Sequence, residues 1–315
     1  MIHRFRSDRE SLTQQEHLQL IMQARPDLEI KKLEHNRDGM LNDIVMVNSS
    51  IIFRFPRYTW GLEDMEQERI CLELLRDRSN IAVPSWTHYD QGFISYPVIP
   101  GTPLTRNQLL SFTRKQQQGI AEQLALFLRN MHHLPSRSSA ASGVKPSITY
   151  QSYNDWLSLL DELQQELFCY LSSYMQDQIE DIFHPLIGDS TFMDCKDSMI
   201  HGDLRSYHIL HDPDERVITG IIDFGSAGLG DPAYDISSII NDYGEGFAAL
   251  MSRYYPGIKE MIDRARFWAL TSELQWALAG VRSQDPSWFL VHLASARDIS
   301  PLGSPLLLTG SGDLR

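Results

Sequence analysis

The run His201-Gly202-Asp203-Leu204-Arg205-Ser206-Tyr207-His208-Ile209-Leu210 leads, through Asp212-Pro213-Asp214-Glu215-Arg216, into Val217-Ile218-Thr219-Gly220-Ile221-Ile222-Asp223-Phe224-Gly225. His208-Ile209-Leu210 reads as a short strand. The acid- and proline-bearing pentapeptide reads as a turn. Val217 to Phe224, rich in β-branched residues, reads as a returning strand. A hairpin of this kind folds the end of the first loop back towards Asp223. A loop carboxylate, a loop imidazole and a strand-end carboxylate then converge on one pocket.

Outward from that hairpin the chain changes character. Residues 1 to about 98 read as a small mixed β/α lobe. Leu12 to Arg25 fits an opening helix. Ile44 to Arg57 fits two strands around a polar turn at Asn48-Ser49-Ser50. Leu62 to Arg76 has helical spacing of apolar residues. Ile81 to Gly101 suggests two further strands around Asp90-Gln91-Gly92. The proline- and glycine-bearing segment Val98-Ile99-Pro100-Gly101-Thr102-Pro103-Leu104 is punctuation, and is read as a hinge. Beyond it, residues 99–300 form a larger, mainly helical lobe, with helices expected at Lys115–His132, Tyr153–Phe183 and Lys259–Val281 and a strand island from Met199 to Phe224. The Gly-, Ser- and Pro-rich residues 301–315 are expected to be a loosely ordered tail. The fold class is therefore α+β, with two lobes.

Bulk properties exclude several function classes. The chain has 315 residues, 42% hydrophobic and 22% charged, an ordinary globular mix. A formal charge of −13 argues against a phosphate-backbone partner and would draw in a cationic small molecule. No apolar run is long enough for a membrane span, and Met1-Ile2-His3-Arg4-Phe5-Arg6 lacks an apolar secretory core, so a cytoplasmic monomer is expected. The three cysteines, Cys71, Cys169 and Cys195, are too scattered for a disulfide frame or a zinc site.

A carboxylate that accepts the proton of an attacking hydroxyl, and a second that holds a magnesium ion against phosphate oxygens, are what phosphoryl transfer requires. Asp203 suits the first task and Asp223 the second, as a hard oxygen ligand for a hard cation. The His-Gly-Asp loop, then Ile-Ile-Asp-Phe-Gly, then Asp231-Pro232-Ala233-Tyr234-Asp235, resembles the aminoglycoside phosphotransferase family of the protein-kinase-like fold. Ile51 to Gly61, Tyr96 to Thr105 and Gly220 to Pro232 are similar in order and spacing to the aminoglycoside 2″-phosphotransferases, and the macrolide kinases share several of these features. The likeness runs from about Gly39 to Gly280.

That resemblance implies transfer of the γ-phosphate of ATP or GTP, in line and with Mg2+, to a hydroxyl of an aminoglycoside. Asp203 would be the base. His208 stands where most of the superfamily has an asparagine metal ligand, and would contact metal or phosphate with Asp223. Arg54 replaces the phosphate-gripping lysine, and Glu68 would pair with it. The loop Arg37 to Asp43, including Asn42, takes the place of the phosphate loop. Backbone groups of Ser95 to Ile99 (Tyr96, Val98 and Ile99 among them) would hold the purine. On the acceptor side the acidic residues Asp231, Asp235, Asp242, Glu245 and Glu273 would suit a polycation, with Trp276 beside them. Asp231 and Asp235 resemble an element that also holds the catalytic loop. Two other readings stand beside this one: a kinase of the same fold for macrolides or other hydroxylated metabolites, and a nucleotide-binding pseudoenzyme. A protein kinase is excluded, because only seven residues separate Asp223 from Asp231 and leave no room for an activation loop.

Overall fold

The computed structural model describes residues 12–36, 42–58, 61–89, 92–134, 143–147, 152–284 and 302–305, without the side chains of 62–64 and 88–89. Thr13 opens helix α1 (Gln14–Ala24) with a capping box closed by Glu16. Helix α1 lays His17 and Ile21 against a five-stranded antiparallel sheet. The sheet comprises β1 (Leu33–Asn36), β2 (Asn42–Val47), β3 (Ile51–Pro56), β4 (Thr87–Tyr89) and β5 (Phe93–Pro97), in the order β1-β2-β3-β5-β4. Strand β2 alternates buried and half-buried residues, which pins its register with Val45 and Val47 inward beside Phe53, Phe55 and Phe93. The expected turn is present. Asn48 and Ser49 take left-handed conformations (φ 52° and 53°), which asparagine tolerates best among residues with a side chain. The Asn48 amide oxygen also accepts the Lys31 and Lys32 amides at 2.8 and 3.0 Å, tying the lead-in of β1 to the turn.

Helix α2 (Gly61–Leu75) joins the two lobes. Glu68 faces the sheet at Arg54, whereas Cys71, Leu72 and Leu75 belong to the large hydrophobic core of the following helices. The chain then crosses to the central hairpin, where the Ala82 carbonyl accepts the Ile221 amide at 2.9 Å. After β5, the Val98 amide donates to the Ser50 carbonyl and Gly101 turns at φ 133°, where a Cβ would lie 2.4 Å from Thr219 Oγ1. Only glycine fits that crossing. Strand β6 (Thr102–Pro103) then pairs with the hairpin of β8 (Ile209–Asp212) and β9 (Val217–Ile221).

Helices α3 (Arg106–Ser111) and α4 (Arg114–His132) follow, each with a threonine capping box. Ile120, Leu124 and Leu128 form the buried stripe of α4. The single helix expected over Tyr153–Phe183 is divided. Helix α5 (Tyr153–Glu162) loosens into a π turn (163–167) and a 3-10 turn (168–170). Helix α6 (Ser173–Gly188) then restarts, because Ser172 in an extended conformation caps it through the Met175 amide. Strand β7 (Ser198–Ile200) pairs with β10 (Gly228–Gly230). Three helices were not foreseen: α3, and then α7 (Ala233–Tyr243) and α8 (Glu245–Met251), separated by Gly244 at φ 89°. The last, α9 (Ile262–Ser283), begins three residues later than expected, after a 3-10 turn at Pro256–Ile258, and packs along α7. Part of the supposed tail is held rather than loose. The Gly303 amide donates to Asp263 at 3.0 Å, and Arg266 donates to the Ser304 carbonyl at 2.6 Å.

Candidate active site

Gly202 sets the catalytic loop. Its φ is 75°, and a Cβ there would lie 2.4 Å from the Ser226 carbonyl oxygen and 3.0 Å from Ser147 Oγ. The loop can approach the Asp223-Phe224-Gly225 segment this closely only with glycine. Gly202→Ala is expected to destabilise the fold by about 2 kcal/mol or more, from strain and overlap together. It should also depress turnover; an unchanged melting temperature would refute this account of the loop.

Asp235, fully buried on α7, holds the same loop from below. Its carboxylate accepts the His201 amide at 2.9 Å, the Gly202 amide at 3.0 Å and His132 Nε2 at 3.0 Å. Burial pushes its carboxyl up, but these bonds and the neighbouring histidines outweigh burial and hold it below the usual carboxylate range. Asp242 holds the other end, receiving the Ser206 amide and Arg205 Nη2, the latter at 2.9 Å.

Between these anchors, Asp203, His208 and Asp223 converge as the sequence predicts. His208 Nδ1 donates to the Asp203 carbonyl at 2.8 Å, which fixes the ring and turns Nε2 to Asp223 Oδ2 at 3.3 Å. His208 Nδ1 also lies 3.6 Å from Asp203 Oδ2. Asp223 follows strand β9 at φ 64°, a conformation that points its half-exposed carboxylate into the cleft. Burial pushes the Asp223 carboxyl up, yet the His208 hydrogen bond and the charges of Arg54 and His208 hold it well below the carboxylate range. Asp203 is shifted the opposite way: burial raises it, against the pull of His208. One carboxylate is thus kept ionised and the other is made a better proton acceptor, the division of labour expected for a metal ligand and a base.

Arg54 on β3 makes a bidentate pair with Glu68, at 3.0 and 2.6 Å, and both side chains are buried. Burial alone would lower the guanidinium, but Glu68 and Asp223 together raise it, so the charge persists. Burial pushes the Glu68 carboxyl up, against the pull of the Arg54 charge. Arg54 Nε is buried without a hydrogen-bond partner among the described residues, a donor suited to a phosphate oxygen. Burial pushes the Tyr96 phenol up to about 12, against the pull of the nearby Arg54 charge. Val98, named for the purine, has its amide committed to Ser50, so only its carbonyl is left for a base. The Ile99 side chain packs on Gly220, where a Cβ would come within 2.3 Å of it. Asn42 starts β2; residues 37–41 of the supposed phosphate loop lie outside the described residues.

The acids expected on the acceptor side have partners within the fold. Asp231 binds Arg264, the Trp268 indole and the Ala233 amide. Glu245 is buried against Arg266. Asp235 and Asp242 serve the loop, as above. All four are spent on internal cations and amides, because acids on buried helix faces must be paired. Glu273 is buried on α9 and is not free, and Trp276 is half-buried on the same helix. Sequence reasoning missed Arg205, Tyr207 and Tyr234. Tyr207 is 53% exposed, with its ring 4.4 Å from that of His208. Burial and the Asp203 charge push Tyr207 up to about 12 and raise Tyr234 as well, which puts both phenols in the field of Asp203. Their only sequence signal was an aromatic residue next to a loop motif.

Asp223 and His208 fit a magnesium site of the kind completed by water and phosphates, since magnesium is commonly held by one or two protein groups. No group of three or more His, Cys, Asp or Glu side chains suited to a metal occurs among the described residues.

A family model described as the APH phosphotransferase enzyme family matches residues 32–268. An uncharacterized protein of Bacillus subtilis (strain 168), YcbJ, is 26% identical over 261 residues, 76% of this chain and 78% of that protein. Among solved structures, the GDP and kanamycin complex of an aminoglycoside 2″-phosphotransferase superposes with a TM-score of 0.78 at 25% identity, covering 88% of this chain and 96% of that one. A macrolide 2'-phosphotransferase type I shares the fold with a TM-score of 0.69 at 21% identity, over 91% of this chain and 100% of that one. With its sheet-bearing small lobe, helical large lobe and converging loop and hairpin, this kinase-like chain belongs to the phosphotransferase enzyme family and is a phosphotransferase that acts on an alcohol group.

Proposed function

We propose that the protein transfers the γ-phosphate of ATP or GTP directly to a hydroxyl of an antibiotic-like acceptor of the aminoglycoside class. The observation that carries this reading is the convergence of the Asp203 and Asp223 carboxylates on one imidazole, that of His208, at 3.6 and 3.3 Å. The Asp203 carboxylate, two-fifths exposed, faces the cleft where it can orient the attacking hydroxyl and take its proton. The buried Arg54 guanidinium, kept in place by Glu68, offers Nε to the donor phosphates. Magnesium, held by Asp223 and His208, would neutralise charge that develops on the transferred group. Asp242 and Asp235 fix the loop backbone on either side of the base, so that no covalent intermediate and little reorganisation are needed.

A second reading follows from one feature of the acceptor side. Asp231, Asp235, Asp242 and Glu245 are neutralised internally, and Tyr207 and Tyr234 stand near the base. That surface suits a larger, less cationic acceptor such as a macrolide. A panel of aminoglycosides and macrolides, each assayed for nucleotide consumption with ATP and with GTP, separates the two. The first reading expects turnover with aminoglycosides. Turnover confined to macrolides would replace it, and no turnover with any acceptor would favour a binding protein.

A further inference from the structure

An open surface depression of about 470 Å³ is lined by Arg78, Arg129, Asn130 and His133, none of which belongs to the catalytic cleft. It lies where the chain leaving α2 meets the end of α4. The Asn130 side chain donates to the Arg78 carbonyl at 3.1 Å and so fastens the two walls together. No acid lines it, although the chain as a whole carries a formal charge of −13. Among the described residues the Arg78 guanidinium has no hydrogen bond or ion pair. Arg129 spends one nitrogen on the Tyr254 carbonyl, at 3.3 Å. His133 donates Nδ1 to the Arg129 carbonyl at 2.8 Å, which leaves Nε2 to face outward.

Basic residues at a helix C-terminus offset the dipole, which amounts to about half a charge. Arg129 alone meets that need for α4. Arg78 and His133 are in excess of it.

The cavity is also wired to the catalytic loop. The His133 ring lies edge-on to Tyr255, with centroids 5.7 Å apart. The Tyr255 hydroxyl meets His132 Nδ1 at 3.2 Å, and His132 Nε2 meets Asp235 at 3.0 Å. Asp235 in turn accepts the amides of His201 and Gly202. Four side chains therefore connect the cavity to the backbone beside the catalytic base.

We propose that this cavity is a second binding site, for a phosphate-bearing anion, and that its occupancy is sensed by the catalytic loop through His133, Tyr255, His132 and Asp235. Paired guanidinium groups with a nearby imidazole form the donor set that phosphate recognition uses. The inference does not depend on which acceptor the enzyme phosphorylates.

The test is calorimetric titration of the full-length protein with inorganic phosphate, in saturating ADP and magnesium so that the nucleotide site is filled, against chloride at matched ionic strength. Glycerol phosphate, in a parallel titration, distinguishes a phosphate monoester from the free ion as the preferred source. One additional site is expected in the wild type. Arg78→Ala, on an exposed side chain with no partner, should weaken it about tenfold, and adding Arg129→Ala should abolish it. Phosphate should change kcat at saturating substrates in the wild type. Tyr255→Phe should keep the binding and lose that response, while Arg78→Ala should retain normal turnover without phosphate. Absence of the site in the wild type, or an equal affinity in Arg78→Ala and the double variant, overturns the proposal. Binding without any kinetic response, or a response that survives Tyr255→Phe, overturns the coupling.

Discussion

Asp203→Ala, and equally the isosteric Asp203→Asn, should lower kcat by about 10²- to 10⁴-fold, the usual contribution of a positioned general base. The nucleotide Kd should stay close to the wild-type value, because Arg54, Glu68 and Asp223 are untouched. The loop should also survive: it is held by Asp235 and Asp242 through the backbone of His201, Gly202 and Ser206, and Asp203 contributes to that frame only through its main chain. A loss confined to kcat, with the melting temperature preserved, is the signature of a base. Unchanged turnover in either variant would reject the assignment. A drop matched by weaker nucleotide binding would shift Asp203 into the metal site instead.

The largest effect on stability is expected at Asp235. Asp235→Ala leaves two buried amides and the His132 imidazole without their acceptor, inside a packed helix face. Removing one member of a buried charged network costs about 3–5 kcal/mol. For a chain of this size that corresponds to a fall of about 10 °C in melting temperature. Activity should collapse with it, since the loop backbone is no longer fixed.

The pH dependence has a definite sign. Asp235 is held below its ordinary value of 3.8, so its contribution is complete above that pH and is lost as pH falls further. His201 is lowered from 6.5 to about 4 by burial, so it stays neutral in the fold and takes up a proton only on unfolding. Stability should therefore erode as pH falls from about 6.5 towards 4, on the order of 3 kcal/mol in all. Melting curves recorded across that window check it. A flat profile between neutrality and pH 5 would mean that His201 is not buried in its neutral form.

Much of the fold was legible because local patterns coincide with the final contacts. Alternation in β2, the Asn48-Ser49 turn and the stripe of α4 each depend on neighbours a few residues away. The helix read as continuous from Tyr153 was not, because apolar periodicity passes through 163–170 without registering the Ser172 cap or the tertiary packing that loosens the turn. Helix α8 escaped notice because six of its seven residues are buried, which erases the polar face that periodicity needs, whereas α7 is amphipathic and was passed over when its acids were read as ligand groups.

The amino-acid sequence alone determined the two-lobe class and the pairing of a loop aspartate with a strand-end aspartate, since glycine placement and hairpin chemistry are local and admit few alternatives. Tertiary structure decided which acids are free to meet a ligand. Asp231, Asp235, Asp242 and Glu245 look alike in a string of letters, yet each is answered by a cation or amide 21 to 36 positions or more away. A carboxylate's availability depends on its partners in space, and that information exists only once distant segments have packed together.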